Sequence, residues 1–213
     1  MVFVWKERRM IDLYAAGTSN GLRARMALEE CGLAYQLHPI ALEKGEHKTP
    51  QFLAMNPNAQ IPVIIDKEGP GGKPLTLSQS TAILIYCGEK SGKYIPKDGA
   101  ARAAMWQALM SASTDITPTI GSIFAVVRSK EPHMPTGNMF KDRFKQYLKV
   151  WDASLAKQKY AAGTEMTLAD ISLYAGYARV KAVSPDVCEG VPNIDRWAHE
   201  LGARPAMQRA LKF

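Results

Sequence analysis

The sequence predicts an α/β domain followed by an all-α domain, and three observations carry that expectation. Over residues 11–92, short β-branched or alternating runs interleave with helix-period segments. Past residue 100 no strand signal of comparable strength occurs, and two long helix-compatible stretches, residues 100–129 and 138–158, take over. Residues 94–99, which include Pro96 and Gly99, lie between these regimes as a linker.

Residues 11–15 read as a strand, and residues 22–31 as a helix with Ala24, Ala27, Leu28 and Cys31 at i, i+3, i+4 and i+7. Gly32 supplies its C-terminal stop. Residues 35–40 form a second strand; Thr49 as N-cap and Pro50 at the first helical position then start a short helix that ends before Pro57. Residues 63–66 and 75–77 flank Gly69-Pro70-Gly71-Gly72, a turn signal between antiparallel strands. Residues 81–90 close the domain as a helix, with Gly92 near its end. The order βαβαββα is that of a thioredoxin-like domain, whose first βαβ unit crosses over right-handedly. In the second half, Pro118 should bend or divide the first long helix. Thr167 can cap a helix running to about residue 183, with Asp170 as the returning carboxylate, while Pro192 and Pro205 open two further helices. The expected domains are residues 10–93 and 100–213.

At 213 residues, with 46% hydrophobic and 22% charged residues, the composition is that of an ordinary soluble globular protein. No apolar run approaches the ~20 residues of a membrane span. Residues 1–10 lack the apolar core of a signal peptide and read as a short extension. Cys31, Cys87 and Cys188 are odd in number, far apart and free of any C-x-x-C pair, which argues against disulfides or a metal site and fits a reducing cytoplasm. The formal charge of +7 raises nucleic acid as a partner, yet the basic residues are scattered and the densest group, Lys6-Glu7-Arg8-Arg9, contains an acid. A solvated basic surface that attracts small anions accounts for it better, so neither nucleic acid nor membrane is an expected partner. No P-loop or clustered metal ligands occur.

Two local devices suit a peptide-like ligand. Ile61-Pro62 opens a β-branched run in which a proline removes a ladder donor. A cis bond there would turn the chain and leave the backbone of Ile61 free to pair with a ligand. About fifteen residues on, Ser78, Gln79 and Ser80 place hydroxyls, a carboxamide and unpaired N–H groups at a helix start, which favours a carboxylate.

This pairing resembles the glutathione site of the cytosolic glutathione S-transferases. Ile11-Asp12-Leu13-Tyr14-Ala15-Ala16-Gly17-Thr18-Ser19-Asn20-Gly21 resembles the first strand and loop of the bacterial Nu-class enzymes, with their Thr-x-Asn-Gly signature. Gly45-Glu46-His47-Lys48-Thr49-Pro50-Gln51-Phe52 is similar to the segment before the cis-proline in Delta and Theta members, and Thr167-Leu168-Ala169-Asp170-Ile171-Ser172 is similar to the buried capping box of the second domain. The resemblance implies the glutathione S-transferase fold, with glutathione as cosubstrate and a cytoplasmic homodimer.

It also implies roles. Thr18 and Asn20 are the expected thiol activators, although polar residues at that point also serve simply as helix caps. Tyr14 is the competing activator, as in Tyr-type transferases; the absence of a cysteine from the Thr18–Asn20 loop disfavours a protein-centred mixed disulfide. Ile61 with Pro62 would bind the cysteinyl backbone, Gln79 and Ser80 the γ-glutamyl end, and His47 and Gln60 the glycyl carboxylate. Gln79 departs from the Glu-Ser usual in Nu-class relatives, so the γ-glutamyl ammonium calls for an acid from elsewhere, such as a partner subunit. Three functions stay open: thiolate attack on an electrophilic small molecule, disulfide or peroxide reduction of the Nu-class kind, and a non-enzymatic binding module. Retention of Thr18, Asn20, Pro62 and Ser80 argues against the module, which has no need of them.

Overall fold

A computed structural model describes residues 11–213, so the extension expected over residues 1–10 lies outside the described residues. The chain divides into two units: the described residues through Ser91 together with Arg209–Phe213, and Gly92–Gln208.

The first unit runs β1 (Ile11–Ala15), α1 (Ser19–Cys31), β2 (Tyr35–Pro39), α2 (Pro50–Met55), β3 (Val63–Asp66), β4 (Leu75–Ser78) and α3 (Ser80–Ser91). This is the thioredoxin-like order. Its sheet has the order β2-β1-β3-β4, with β1 and β2 parallel and the other pairs antiparallel. Alternation along β1 sends Leu13 and Ala15 into a fully buried face and leaves Asp12 and Tyr14 on the other. The helices α1 and α3 pack together through residues with no exposed surface, among them Ala24, Ala27, Leu28, Ile83, Leu84 and Cys87.

The first helix begins three residues before its apolar periodicity does, at Ser19, because capping rather than periodicity sets its start. Thr18 is extended (φ −93°, ψ 165°) and its hydroxyl accepts the Gly21 N–H at 3.1 Å. Thr49 likewise caps α2, accepting the Phe52 N–H at 3.4 Å with Pro50 in the first turn. Between β2 and α2 the chain makes two short 3₁₀ turns, Leu42–Lys44 and Glu46–Lys48, which have no periodic signature; the Glu46 carboxylate holds them by accepting the Ala41 N–H at 2.7 Å. Arg209–Phe213 is tied to α1. Arg209 pairs with Glu29 at 2.7 Å, and the Arg25 guanidinium lies 4.9 Å over the Phe213 ring while donating to the Lys212 carbonyl.

The second unit is helical. In it α4 (Gly99–Met110), capped by Asp98 at 2.8 Å, passes through a π-helical stretch, Ser111–Ile116, into α5 (Thr117–Val127). Pro118 thus divides the predicted helix by a change of register rather than a break. The widened stretch leaves carbonyls to be met by side chains: Ser113 donates to Leu109, Thr117 to Ala112 and Thr119 to Asp115, at 2.9, 2.7 and 2.7 Å. Then follow α6 (Met134–Leu155), α7 (Leu168–Val183), α8 (Pro192–Gly202) and α9 (Pro205–Leu211). At the centre Trp197 is fully buried, edge-on to Trp151 and Tyr174 with centroids 4.5 and 5.9 Å away.

Asp170 ties this core to the start of α7. Its carboxylate accepts the Thr167 and Ala161 N–H groups at 2.8 Å each, the Thr167 hydroxyl at 3.1 Å and the Trp197 indole N–H at 2.9 Å. Burial pushes its carboxyl up from the ordinary range, against the lowering effect of those donors. Among the described residues no helix is long and apolar enough to cross a membrane.

Candidate active site

Thr18–Asn20, expected as a loop, is instead the cap and first turn of α1, and it is shaped by a close approach. The Thr18 N–H donates to the Ala16 carbonyl at 2.7 Å, and a Cβ on Gly21 would stand 2.0 Å from that same oxygen. Only glycine fits there. The tight turn sets Thr18 and Asn20 at the positive end of α1, where a nearby anion is favoured. Thr18 need not choose between its two expected roles. A hydroxyl oxygen that accepts from Gly21 keeps its own O–H to donate.

The second device lies at the start of α3. Gln79 has a left-handed backbone (φ 71°), an unfavourable conformation for a non-glycine residue, and its carbonyl accepts the Ile83 N–H at 2.9 Å. This sharp turn from β4 leaves the Gln79 side chain exposed and buries Ser80 to 7% exposure. Ser80 then meets the first device: its hydroxyl lies 3.3 Å from the Asn20 Oδ1.

A residue that the sequence reading did not single out joins the two. Arg23, 1% exposed, donates from Nη1 to Asn20 Oδ1 and to Ser80 Oγ, both at 2.7 Å. Burial pulls its guanidinium down to about 10. The signal for Arg23 lies in the helix stripe Ser19, Arg23, Met26, Ala27 and Glu30, all buried, which becomes visible once α1 is begun at Ser19.

Ile61-Pro62 is a cis peptide bond, and it stands just before the first paired residue of β3, Val63, which pairs with both Tyr14 and Ser78. Asn56, buried, organises the approach: its amide donates to the Gln60 carbonyl at 2.6 Å and its side-chain oxygen accepts the Asn58 N–H at 3.2 Å. The Gln60 side chain remains exposed. His47 lies half-buried in the second 3₁₀ turn, and its buried Nδ1 makes no hydrogen bond among the described residues. Neither His47 nor Gln60 bonds to the Asn20–Arg23–Ser80 cluster.

Tyr14 has other company. Its ring stacks on His38, its cross-strand neighbour, with centroids 4.6 Å apart, and His38 in turn bonds Asp12 at 2.9 Å. Burial raises the Asp12 carboxyl, but bonds to His38 and Lys67 more than offset this and hold it below the ordinary range. The three cysteines are buried and form no disulfide among the described residues; burial pushes the thiols of Cys87 and Cys188 up, the latter to about 11, so neither is an activated nucleophile.

Comparison with known proteins extends this picture. The N-terminal domain model of the glutathione S-transferases matches residues 19–90, and the C-terminal domain model matches residues 126–205. The disulfide-bond oxidoreductase YfcG of Escherichia coli is 30% identical over 204 residues, covering 95% of this chain and 94% of that protein. The chain belongs to the glutathione S-transferase family. Probable glutathione S-transferase GSTF2 of Oryza sativa is 32% identical over 211 residues, 93% of this chain and 94% of its own length. A glutathione transferase family member from Pseudomonas fluorescens, solved with two glutathiones bound, has a TM-score of 0.90 and 32% identity, covering 97% of this chain and 94% of that one. The glutathione S-transferase fold, a thioredoxin-like domain followed by a helical one, is therefore that of this chain, and it is a glutathione S-transferase-type enzyme.

Proposed function

We propose that this glutathione S-transferase binds glutathione in its first unit and uses the ionised thiol to reduce disulfides, in the manner of the Nu-class members its Thr18-Ser19-Asn20-Gly21 segment resembles. The observation that carries the reading is the hydrogen-bonded junction of Asn20 with Ser80, which unites the segment suited to a thiolate with the helix start suited to a carboxylate. Ser80 and Gln79 hold the γ-glutamyl end, and the backbone of Ile61 before cis-Pro62 pairs with the cysteinyl residue. His47, with its unpartnered Nδ1, and Gln60 serve the glycyl carboxylate.

Chemistry follows from placing the sulfur near the start of α1. A free thiol titrates near ~8.5, and lowering it by about two units takes about 2.7 kcal/mol of preferential interaction with the thiolate. The Thr18 O–H, the Asn20 amide N–H groups and the helix dipole are the available sources. The thiolate attacks one sulfur of a disulfide, forming a mixed disulfide and releasing the other half as a thiolate that takes up a proton. A second glutathione thiolate then attacks the glutathione sulfur of that mixed disulfide, giving glutathione disulfide and releasing the second thiol. The name of the E. coli relative and the two glutathiones in the Pseudomonas structure favour this over conjugation.

Conjugation to an electrophilic carbon is the second reading, favoured by the rice relative's name. Parallel assays with a small disulfide, an aryl halide and a lipid hydroperoxide separate them. The expected result is the highest kcat/KM with the disulfide; dominant aryl-halide turnover overturns that choice, and the lack of any thiolate absorbance on adding glutathione reduces the protein to a binding module. Because Gln79 is uncharged, the reading includes a cytoplasmic homodimer whose partner subunit supplies an acid for the γ-glutamyl ammonium. A fully active monomer in sedimentation would reject the dimer.

A further inference from the structure

Arginine has five N–H donors and no acceptor, so every contact of Arg23 orients the group it touches. Nη1 carries two N–H groups, and its bonds to Asn20 Oδ1 and Ser80 Oγ use one each. Asn20 must therefore turn its carbonyl oxygen to the guanidinium and its NH₂ the other way. Ser80, accepting through its oxygen, keeps its O–H to give away; its longer contact to Asn20 at 3.3 Å is the weaker bond, available for exchange with a ligand. Burying a guanidinium strips it of water, and this one stands at the junction of two anion-seeking devices.

We propose that Arg23 is a positioning residue that couples the two ends of the glutathione site, making donors of both Asn20 toward the sulfur and Ser80 toward the γ-glutamyl carboxylate. This rests on the glutathione reading above. Arg23 itself touches neither end of the ligand. It acts by fixing the polarity of two side chains and by setting a positive charge behind both, so that thiolate and carboxylate are favoured together. One helix residue thereby links thiol ionisation to ligand affinity, which two independent devices would not do.

The test replaces Arg23 by Met, near in volume but without donors or charge, and by Gln, which is neutral but polar should the Met variant fail to fold. Two quantities are measured: binding of S-methylglutathione, which lacks the thiol and so reports the γ-glutamyl end, and the pKa of bound glutathione from thiolate absorbance against pH. Loss of charge-assisted bonds is expected to weaken S-methylglutathione about tenfold and to raise the thiol pKa by about one unit, with Arg23→Lys recovering part of both. A purely structural arginine would lower the melting temperature and leave the ligand constants of the folded fraction unchanged; that outcome overturns the inference, as does a change at only one end. Failure of the underlying reading is seen earlier, because the unsubstituted protein would then show no bound thiolate at all, and the inference falls with it.

Discussion

Thr18 should have two separable functions, and substitutions can part them. Its hydroxyl accepts the Gly21 N–H at 3.1 Å as the cap of α1, while its O–H is left to donate. Thr18→Val keeps the volume and loses both. Loss of the cap should cost about 1 kcal/mol, which in a chain of this size is a fall in Tm of roughly 2–4 °C. Loss of the donor should raise the bound thiol's pKa by about one unit, equivalent to about 1.4 kcal/mol. Thr18→Asp keeps an acceptor for Gly21 and adds a charge favourable to the helix start, so Tm should hold or rise. Near the sulfur, however, that carboxylate opposes a second negative charge: at ~4 Å and an effective dielectric of ~20 the repulsion is about 4 kcal/mol, so the thiol pKa should rise by more than in the Val variant. Calorimetric Tm and ultraviolet titration of bound thiolate measure the two separately. If Thr18→Val lowers Tm and leaves the thiol pKa in place, Thr18 is only a cap; if Tyr14→Phe abolishes the thiolate signal instead, the enzyme is Tyr-type despite the stack on His38.

Ser80→Ala removes the oxygen that accepts from Arg23 and the O–H proposed to meet the γ-glutamyl carboxylate, so S-methylglutathione should bind at least about tenfold more weakly by isothermal titration. Asp170→Asn should be among the most destabilising single changes in the second unit: its NH₂ must face either the Ala161 and Trp197 N–H groups or the Thr167 N–H, leaving at least one donor unmet at about 1–3 kcal/mol in urea unfolding even after the Thr167 hydroxyl turns to accept. Burial raises the Asp66 carboxyl, but bonds from Lys90, Tyr86 and the Glu68 N–H outweigh this and hold it below the ordinary range. Its stabilising contribution is therefore complete above the unfolded carboxylate pKa of about 4 and lost as pH falls through the lower folded value. Urea unfolding from pH 7 to 2 should show that loss, and Lys90→Met should make it smaller.

The fold was legible where local chemistry decides it. Thr49-Pro50 started α2 at the expected residue, and Asp170 returned to the Thr167 N–H as the capping pattern required, because caps involve atoms within four residues of one another. Pro135 was less transparent. The helix-compatible stretch in the sequence is residues 138–158, yet α6 begins at Met134 with Pro135 in its first turn, a position where proline's missing N–H costs nothing. The π-helical register before Pro118 could not be read at all: it depends on which carbonyls the Ser113, Thr117 and Thr119 hydroxyls reach, and those hydroxyls are equally compatible with an ordinary helix.

The site shows the same boundary between near and distant chemistry. In the candidate site, Thr18, Pro62 and Ser80 stand out locally as a cap, a proline at a strand start and a helix start, whereas Asn20 is singled out only by the Thr-x-Asn-Gly resemblance. Arg23 has neither mark. In sequence it is one more cation among 27 Lys and Arg residues, and starting the helix at Leu22 placed it in a first turn where exposure is the natural assumption. Its partner Ser80 is 57 residues away, and only the packing of α1 on α3 brings the two together. With α1 starting at the cap Thr18, the buried position of Arg23 follows from helical spacing. Arg23 then falls four residues after Ser19 and four before Ala27, on a stripe that packs against the apolar face of α3. An arginine on a buried stripe needs acceptors, and the nearest polar group that α3 can offer is the hydroxyl at its own first residue.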